Sequence, residues 1–426
     1  MKRLLVISPY FPPSTLAGVH RARLLAKHLP AFGWKPIVLC VDERHHDEKI
    51  DPELATLLPT DLEIVKTGAL PSQLTRFAGV GDLSLRAFHH LKAAVRAILD
   101  KELIDAVFIT GSPYYPMLFS RWLKTEYAKP VVLDFQDPWV SAYGAAQSPF
   151  SKGGLAHRLS THLEPMALRH ADFVASVSVV QNEEMAQRYS WLDAKKMAAI
   201  PIGGDPDDYD VLRGRPRVGS AHILSSSHIN FSYVGTFLPR SDVTARVVFA
   251  ALARLRETTP RLAARVRLNF VGSSNQPNDA KNFRFMPLAA AAGVADLVNE
   301  MPQRVPYLDA LSVLANSQAV LLLGSDEPHY TASKIYPGLM SGRPFLSLFH
   351  NASSAHHILA KAGGGYAFSF MTTEELEAHQ PRIASAMSML ATESGAVGQP
   401  RASAIEPYTA AAIARRFAAI FDSVAS

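Results

Sequence analysis

Short β-branched runs alternate with longer amphipathic segments in two successive series, and this alternation restricts the chain to few folds. In the first half, runs such as RLLVISPY (residues 3–10) and IDAVFITGS (104–112) are separated by helical segments. A polar stretch rich in Gly, Pro and Ser follows at 205–228, and the alternation then resumes with INFSYVGT and VRLNFVGS. Strands alternating with helices at this spacing predict parallel βαβ units. We therefore expect an α/β protein with two Rossmann-like, doubly wound parallel sheets.

The polar stretch divides the 426 residues into two halves of ordinary domain size. We predict an N-terminal domain at 1–205, a C-terminal domain at 206–405, and a final amphipathic helix at 406–426 that packs back on the N-terminal domain. Doubly wound sheets bind ligands beyond the carboxyl ends of their strands. The sequence thus predicts two domains that face each other across a ligand cleft.

Composition excludes several classes of protein. Apolar residues make up 48% and charged residues 19%, as in a soluble globular protein. The net charge of +5 comes from dispersed residues, without the basic run of a nucleic-acid-binding tail. Cys40 is the only cysteine, which rules out a disulfide framework or a cysteine zinc site. No apolar run reaches the length of a membrane span, so we predict a cytoplasmic protein, with peripheral contact at the inner face of the membrane left open.

Loops after the strands of the first half contain candidates for a ligand site. Gly18 opens a helix whose N-terminus favours an anion, although an ordinary βα loop is the alternative. Asp134 and Asp137 end the strand of LDFQDPW, where a carboxylate can orient or deprotonate a sugar hydroxyl. Trp139 and Tyr143 offer flat apolar rings to a sugar. The alternative for this segment is structural, with Asp137 capping a turn and Trp139 packing.

Further polar candidates lie nearby in the predicted fold. Ser112 and Tyr114, in TGSPYYP, can hydrogen-bond a ligand, but turn formation explains that motif equally well. His20 lies in the helix that follows Gly18 and is a further candidate for ligand contact. We predict that all three residues contact a ligand.

One segment of the first half suits a membrane surface. Residues 76–98, RFAGVGDLSLRAFHHLKAAVRAI, combine apolar residues with Arg76, Arg86, Lys92 and Arg96. The alternative is an ordinary amphipathic helix that covers the sheet.

Glycines recur at strand ends in the second half. Gly235 in SYVGTFLPRSD permits close approach of a ligand to the backbone. Arg240 is a candidate hydrogen-bond donor to a phosphate, or else a solvated loop residue. Gly272 and Ser273 repeat the pattern in FVGSSN. These residues predict a phosphate-binding face at the strand ends of the second domain.

The stretch TASKIYPGLMSGRPFLSL predicts a short helix between two strands. Ser333 is a natural N-cap, which places Lys334 in the first turn. A cation is unfavourable there because the helix dipole is positive at its N-terminus. A bound phosphate would compensate, so we predict that Lys334 binds one; the alternative is that its side chain reaches solvent.

Metal chemistry and hydrolysis lack support in the sequence. Asp205 and Asp207 lie in the polar linker, where acidic residues are common, and we predict no metal site. No G-x-S-x-G motif occurs, so a serine hydrolase is not indicated.

Taken in order, these segments resemble family-4 glycosyltransferases, retaining enzymes of the GT-B fold that use nucleotide-activated sugars. The likeness is to bacterial members acting on cell-surface polysaccharides. PVVLDFQDPW is similar to their D-x-R-D-P-W segment, and YVGTF and ASKIYPGLMSGRPFL are similar to their donor-site loops. The resemblance covers nearly the whole chain.

The resemblance implies which residues meet the ligands. The N-terminal domain would bind the acceptor, and the C-terminal domain a nucleoside diphosphate sugar, with no metal or cofactor required. The implied acceptor contacts are His20, Ser112, Tyr114, Trp139 and Tyr143. Gly18 would face the donor phosphate. The other implied donor contacts are Gly235, Thr236, Arg240 and Lys334 near the diphosphate and Val305 to Tyr307 near the base.

The chain departs from the family pattern at several positions. His329 and Pro337 stand where two glutamates are common, Thr236 replaces an arginine, and Asp242 replaces a lysine. From the resemblance as a whole, we expect a glycosyltransferase that moves a sugar, with retention, to a cell-surface glycan or lipid-linked acceptor. Two alternatives remain open: a nucleotide-sugar epimerase on the same fold, and a non-catalytic nucleotide-sugar-binding protein.

Overall fold

The strands form two separate parallel sheets, and their apolar runs are buried on both faces. The computed structural model describes residues 1–77, 79–213, 223–238, 240–274, 280–327 and 333–425. The chain divides into two units: Met1–Ile202 together with Ala410–Ser426 is unit 1, and Gly203–Thr409 is unit 2. These bounds lie within a few residues of positions 205 and 405, where the linker and the final helix begin in the sequence.

Unit 1 contains a seven-stranded parallel sheet of order β3-β2-β1-β4-β5-β6-β7. Its strands read as continuous apolar runs, such as LLVI in the first strand, because helices cover both faces. The strands are β1 Lys2–Ile7, β2 Trp34–Val41, β3 Glu63–Thr67, β4 Ala106–Gly111, β5 Val131–Phe135, β6 Phe173–Ser176 and β7 Met197–Ala199.

Nine described α-helices connect these strands. They are α1 Val19–His28, α2 Pro52–Ala55, α3 Ser72–Phe77, α4 Leu83–Arg86, α5 Phe88–Leu99, α6 Phe119–Tyr127, α7 Ala142–Ala145, α8 Lys152–Leu168 and α9 Val179–Arg188. Short 3-10 helices occur at Leu29–Phe32, Glu43–His45, Tyr115–Leu118 and Ala194–Lys196.

Unit 2 contains a six-stranded parallel sheet of order β10-β9-β8-β11-β12-β13. The strands are β8 Ile229–Val234, β9 Val266–Val271, β10 Val298–Met301, β11 Ala319–Leu323, β12 Phe345–His350 and β13 Gly365–Phe370. β10 was not predicted from the sequence, because its residues VNEM include two polar side chains. Asn299 donates to the Ile223 carbonyl at 3.3 Å, and Glu300 accepts backbone hydrogen bonds, so both polar side chains have hydrogen-bond partners.

The described helices of unit 2 are α10 Asp207–Asp210, α11 Asp242–Thr258, α12 Pro260–Ala263, α13 Met286–Ala291, α14 Tyr307–Asn316, α15 Ile335–Met340, α16 Ser354–Ala362, α17 Thr373–Ala378, α18 Gln380–Thr392, α19 Ser394–Val397 and α20 Ala402–Ile405. Two further 3-10 helices lie at Ala295–Leu297 and Glu406–Tyr408. Together these sheets confirm the predicted fold class, two doubly wound α/β units.

The last helix, α21 (Ala410–Val424), packs on unit 1. Phe417 and Phe421 lie with their ring centroids 5.2 and 5.6 Å from that of Phe108 in β4. Phe421 also contacts Trp34 of β2, at 5.5 Å between centroids. The aromatic side chains of this helix therefore complete one face of the first sheet.

Within the segment 76–98, helix α5 covers the sheet. Leu91, Val95 and Ile98 of α5 are buried in the core of unit 1. Arg86 is 3% exposed and donates to the carbonyl of Leu70 at 2.9 Å. The structure thus supports the amphipathic-helix alternative over a membrane surface at this segment. No helix among the described residues is long and apolar enough to cross a bilayer.

Candidate functional site

In unit 1, the loops after β1, β4 and β5 meet at the carboxyl ends of adjacent strands. Gly18 is the residue before α1, and a Cβ atom at this position would lie 3.1 Å from the carbonyl oxygen of Ser112. The side-chain amide of Gln136 donates to the Gly18 carbonyl at 3.0 Å and to the Thr110 hydroxyl at 2.8 Å. A side chain at position 18 would therefore be crowded against the Ser112 carbonyl, and the three loops form one surface.

Two aromatic side chains border this surface. The rings of Tyr114 and Trp139 stack with centroids 5.2 Å apart and an interplanar angle of 12°. The Tyr114 hydroxyl donates to the backbone carbonyl of Asp137 at 3.0 Å. Trp139 is only 9% exposed, so it supports the loop by packing, which is the structural alternative to contact with a sugar. Tyr143 lies on α7 and is 79% exposed.

The two aspartates that the sequence grouped together have different environments. Asp134 is fully buried and accepts hydrogen bonds from Arg21 at 3.1 Å and from the Thr110 hydroxyl at 2.7 Å. It cannot reach an acceptor, so its predicted catalytic role is replaced by a structural one. Asp137 is exposed at the strand end, and desolvation raises the pKa of its carboxyl above the ordinary value. Of the two, Asp137 is the one that a ligand can contact.

The remaining predicted acceptor contacts lie at the same strand ends. His20 is half-buried in the first turn of α1, and burial lowers the pKa of its imidazole to about 3. Its ring is therefore neutral at physiological pH and can donate or accept a hydrogen bond. Ser112 is exposed. Acceptor contact by these two residues stays a prediction.

An ion pair between the buried Glu164 and Arg188, which the sequence did not indicate, fixes the loop after Trp139. Glu164 of α8 accepts from the Val140 amide at 2.9 Å and from Arg188 at 2.8 Å, and Arg188 donates to the Val140 carbonyl at 3.1 Å. Burial raises the pKa of the Glu164 carboxyl to about 7. The spacing between these residues in the chain carries no motif, so only the fold brings them to this loop.

In unit 2, Gly235 directly follows β8 at the turn toward α11. Its φ is +138°, a conformation that side chains with a Cβ atom rarely adopt. A Cβ atom here would also lie 3.5 Å from Cε and 3.6 Å from Nζ of Lys334. The predicted glycine turn and the predicted lysine therefore form one cluster.

Lys334 is held against Tyr233 of β8. Its ammonium donates to the Tyr233 hydroxyl and to the Thr236 carbonyl, the latter at 3.3 Å. Among the described residues, no carboxylate lies within ion-pair distance of this ammonium, and burial lowers its pKa to about 7. The side chain therefore does not simply reach solvent. The helix begins at Ile335 and Lys334 itself occupies the capping position, so the prediction of Ser333 as N-cap is wrong by one residue.

Arg240 has a partner of its own. It forms an ion pair with Asp326 at 2.7 Å, and its side chain is 67% exposed. A phosphate would have to compete with this carboxylate. Thr236 contributes its backbone carbonyl, which accepts from Tyr233 at 2.8 Å as well as from Lys334.

Gly272 and Ser273 follow β9, next to the Gly235 turn. Gly272 has a φ of +72°, and the Ser273 carbonyl accepts from the Phe237 amide at 2.8 Å. The Ser273 hydroxyl is buried and donates to Glu300. It therefore stabilises the loop and is not available as the predicted ligand contact.

The predicted base contacts lie at the start of α14. Val305 and Tyr307 are half-buried, and the Tyr307 hydroxyl donates to Asp208 of α10 at 2.9 Å. Donor contact by both residues stays a prediction. Pro337 lies within α15, where its carbonyl accepts from Tyr209 at 2.6 Å, and His329 falls outside the described residues.

A known domain family matches part of the chain. Residues 18–203 match the model of a glycosyl transferase 4-like domain. Over 150 residues the chain is 31% identical to a D-inositol 3-phosphate glycosyltransferase of Stackebrandtia nassauensis, an alignment that covers 34% of this chain. The match spans 32% of the length of that curated relative.

Solved structures share the fold over almost the whole chain. HepE of Anabaena, solved with UDP and glucose, has a TM-score of 0.63 at 16% identity, covering 99% of this chain and 100% of that one. Sucrose-phosphate synthase of Thermosynechococcus elongatus has a TM-score of 0.62 at 16% identity, covering 99% of each chain. A UDP-forming α,α-trehalose-phosphate synthase of Burkholderia xenovorans gives 0.60 at 13% identity, covering 100% of each. At these identities the likeness establishes the fold. Residues 18–203 therefore match a glycosyl transferase 4-like domain, and the chain has the GT-B fold.

Proposed function

We propose that the protein is a glycosyltransferase that moves a sugar, with retention, from a nucleoside diphosphate sugar to a cell-surface glycan or lipid-linked acceptor. Unit 2 binds the donor, unit 1 binds the acceptor, and transfer needs no resident metal or cofactor. The family domain and the shared fold support this assignment. UDP-glucose is the first donor to test, since HepE has been solved in complex with it. The proposal places the enzyme at the cytoplasmic face of the membrane, where a lipid-linked acceptor would lie.

The donor assignment rests mainly on the environment of the Lys334 ammonium. It lies beside the Gly235 turn with no carboxylate partner among the described residues. A desolvated cation without a counter-ion favours an anionic ligand, because the ligand restores the charge balance that burial disturbs. A diphosphate at this turn gains a charge-assisted hydrogen bond, and the same contact stabilises the leaving diphosphate during transfer.

On the acceptor side, the Asp137 carboxyl orients or deprotonates the acceptor hydroxyl. Its raised pKa makes it a stronger base than an ordinary aspartate, while it remains exposed to a ligand. The stacked Tyr114 and Trp139 rings hold the Asp137 backbone in place. We expect Asp137→Asn to lower the transfer rate by about 100-fold or more without changing the affinity for UDP.

Donor binding is tested by calorimetry with UDP and UDP-glucose. We expect Lys334→Ala to weaken binding by about 10- to 100-fold, the loss of one hydrogen bond to a charged group. Lys361→Ala is the matched control, because Lys361 is an exposed lysine on α16 of the same unit. Equal affinities for wild type and Lys334→Ala would remove Lys334 from the site, and no binding of any nucleoside diphosphate sugar would refute the donor assignment.

Product analysis separates the proposed reaction from its alternatives. Incubation of donor with an acceptor panel should yield glycosylated product whose anomeric configuration matches that of the donor, both with and without EDTA. Isomerised donor in the absence of acceptor would instead identify an epimerase. Tight donor binding without turnover on any acceptor would identify a binding protein.

A further inference from the structure

A group of large apolar side chains in unit 1 is exposed on α7, α8 and the segment that joins them. Tyr143 is 79% exposed and Phe150 86%, while Leu155 and Leu159 on the first half of α8 are 53% and 46% exposed. We call these four residues the α7–α8 patch. Isolated exposed apolar residues are common, but four large ones within 17 positions mark an interaction surface.

The backbone that presents the α7–α8 patch is well fixed. Ser141 caps α7 by accepting from the Gly144 amide at 3.1 Å, and Ser151 caps α8 by accepting from the Gly154 amide at 3.0 Å. A Cβ atom at Gly154 would lie 2.1 Å from the Ser148 carbonyl oxygen, so the segment crosses the helix too closely for another residue. The backbone that presents the four side chains is therefore fixed by these contacts.

The formal charges within this segment of the chain are of one sign. Residues 138–163 contain no aspartate or glutamate, but they include Lys152 and Arg158. Both cations are exposed on α8, and no described carboxylate lies within ion-pair distance of either. The Arg158 guanidinium lies 5.7 Å from the centroid of the Phe150 ring, which places a cation directly beside the most exposed side chain of the patch.

We infer that the α7–α8 patch docks the protein on an anionic phospholipid bilayer. Aromatic and leucine side chains can insert at the boundary between headgroups and acyl chains, while Lys152 and Arg158 remain at the level of the anionic headgroups. The patch directly follows the Asp137–Trp139 loop in the chain. For its biological meaning the inference rests on the proposed lipid-linked acceptor, but docking itself is measurable without donor or acceptor.

A second exposed apolar group in unit 1 serves as a comparison. Leu74 and Phe77 on α3 are 72% and 99% exposed. The cation of this helix, Arg76, is paired with Asp47 at 3.2 Å. Because that charge is already compensated, we expect α3 to contribute little to binding of an anionic surface.

Co-sedimentation of the full-length protein with vesicles tests the inference. Wild type should bind phosphatidylcholine–phosphatidylglycerol vesicles and not vesicles of phosphatidylcholine alone. Phe150→Ser with Leu155→Ser should reduce binding by about tenfold or more, because two large apolar side chains are no longer transferred from water into the bilayer. Arg158→Glu should also reduce it, and added salt should weaken binding by wild type. Leu74→Ser with Phe77→Ser is the matched control and should bind like wild type.

Several results would overturn the inference. These are absence of binding to the anionic vesicles, equal binding to neutral vesicles, or loss of binding only in the α3 control. A wild-type dimer that Phe150→Ser with Leu155→Ser converts to monomer would assign the patch to a second copy of the chain and would also overturn it. All variants change exposed side chains, and their melting temperatures should match that of wild type. Vesicle binding without transferase activity would leave docking intact and refute the proposed function alone.

Discussion

The Lys334 ammonium lies 4.3 Å from the centroid of the Tyr233 ring and donates a hydrogen bond to its hydroxyl. These two residues are 101 positions apart in the chain. Their contact joins the start of α15 to the end of β8, beside the Gly235 turn. A lysine in this environment is partly desolvated and has neutral partners, which prepares it to bind an anion.

Donor affinity should depend on pH through Lys334. Burial lowers the pKa of this ammonium to about 7, and a bound diphosphate would raise it again because it favours the charged form. Binding above pH 7 must then take up a proton, so the affinity for UDP-glucose should fall by about tenfold per pH unit above that point. Calorimetry across this range measures the effect, and UDP-glucose is chosen because its diphosphate does not titrate there. Lys334→Arg, which stays charged, should show weaker but pH-independent binding; a pH-independent wild type would contradict the prediction.

Gly235→Ala should weaken donor binding through backbone strain and through a new methyl contact with Lys334. The residue has a φ of +138°, and its Cβ atom would lie within 3.6 Å of the Lys334 ammonium. We expect a loss of about 1–3 kcal/mol in the free energy of unfolding and a loss of UDP affinity. Gly342→Ala separates the two effects, because Gly342 has a φ of +68° but open space around it. That control should be destabilised with unchanged UDP affinity, and equal affinity losses in both variants would refute the role of the Gly235 turn.

Asp134→Ala should destabilise unit 1 strongly. Its buried partner Arg21 also donates to the carbonyls of Ile200 and Pro201, so removal of the carboxylate leaves an uncompensated buried guanidinium. The expected cost is about 3–5 kcal/mol, measured by urea unfolding. Asp422→Ala, which breaks the exposed Lys2–Asp422 ion pair, should cost less than about 1 kcal/mol. An Asp134→Ala variant with wild-type stability and no transferase activity would restore the catalytic assignment instead.

The stability of unit 1 should depend on the protonation of Glu164. Burial raises the pKa of its carboxyl from 4.5 to about 7, so between these values the folded state binds more protons than the unfolded state. The stabilising contribution of the protonated carboxyl is present below pH 4.5 and is lost as pH rises through about 7. Glu164→Gln stays neutral, so its stability relative to wild type should rise by about 3 kcal/mol across this window.

Urea unfolding at several pH values measures this difference. Glu183→Gln, an exposed glutamate on α9, is the control and should differ from wild type by a constant amount, within about 0.5 kcal/mol. A Glu164→Gln difference that is equally independent of pH would show that the carboxyl is ionised throughout.

Local patterns predicted most of the fold. The apolar runs of β1, β4 and β11 and the amphipathic segments between them lie where the sequence places them. β10 was missed because Asn299 and Glu300 interrupt its apolar pattern; both side chains are satisfied by contacts made elsewhere in unit 2. α8 begins at Lys152 although its first turn contains two glycines, because a serine cap and close packing stabilise that turn.

The candidate site was only partly predictable. Glycines at strand ends pointed to Gly18 and Gly235, since a chain rarely places them there without a spatial or conformational need. The roles of Asp134 and Ser273 were not predictable, because their partners Arg21 and Glu300 are 113 and 27 positions away. Nothing in the local sequence distinguishes the buried carboxylate of Asp134 from the exposed carboxylate of Asp137, three residues later.

The sequence by itself determined that two parallel sheets would form and that glycine-containing loops would lie at their strand ends, because hydrophobic periodicity and backbone freedom act over neighbouring residues. Only the tertiary structure decided which aspartate is enclosed, what the Lys334 ammonium contacts, and which apolar side chains stay in water. Burial and electrostatic environment depend on atoms that the fold brings together from distant parts of the chain, and these two quantities set the chemistry of each side chain.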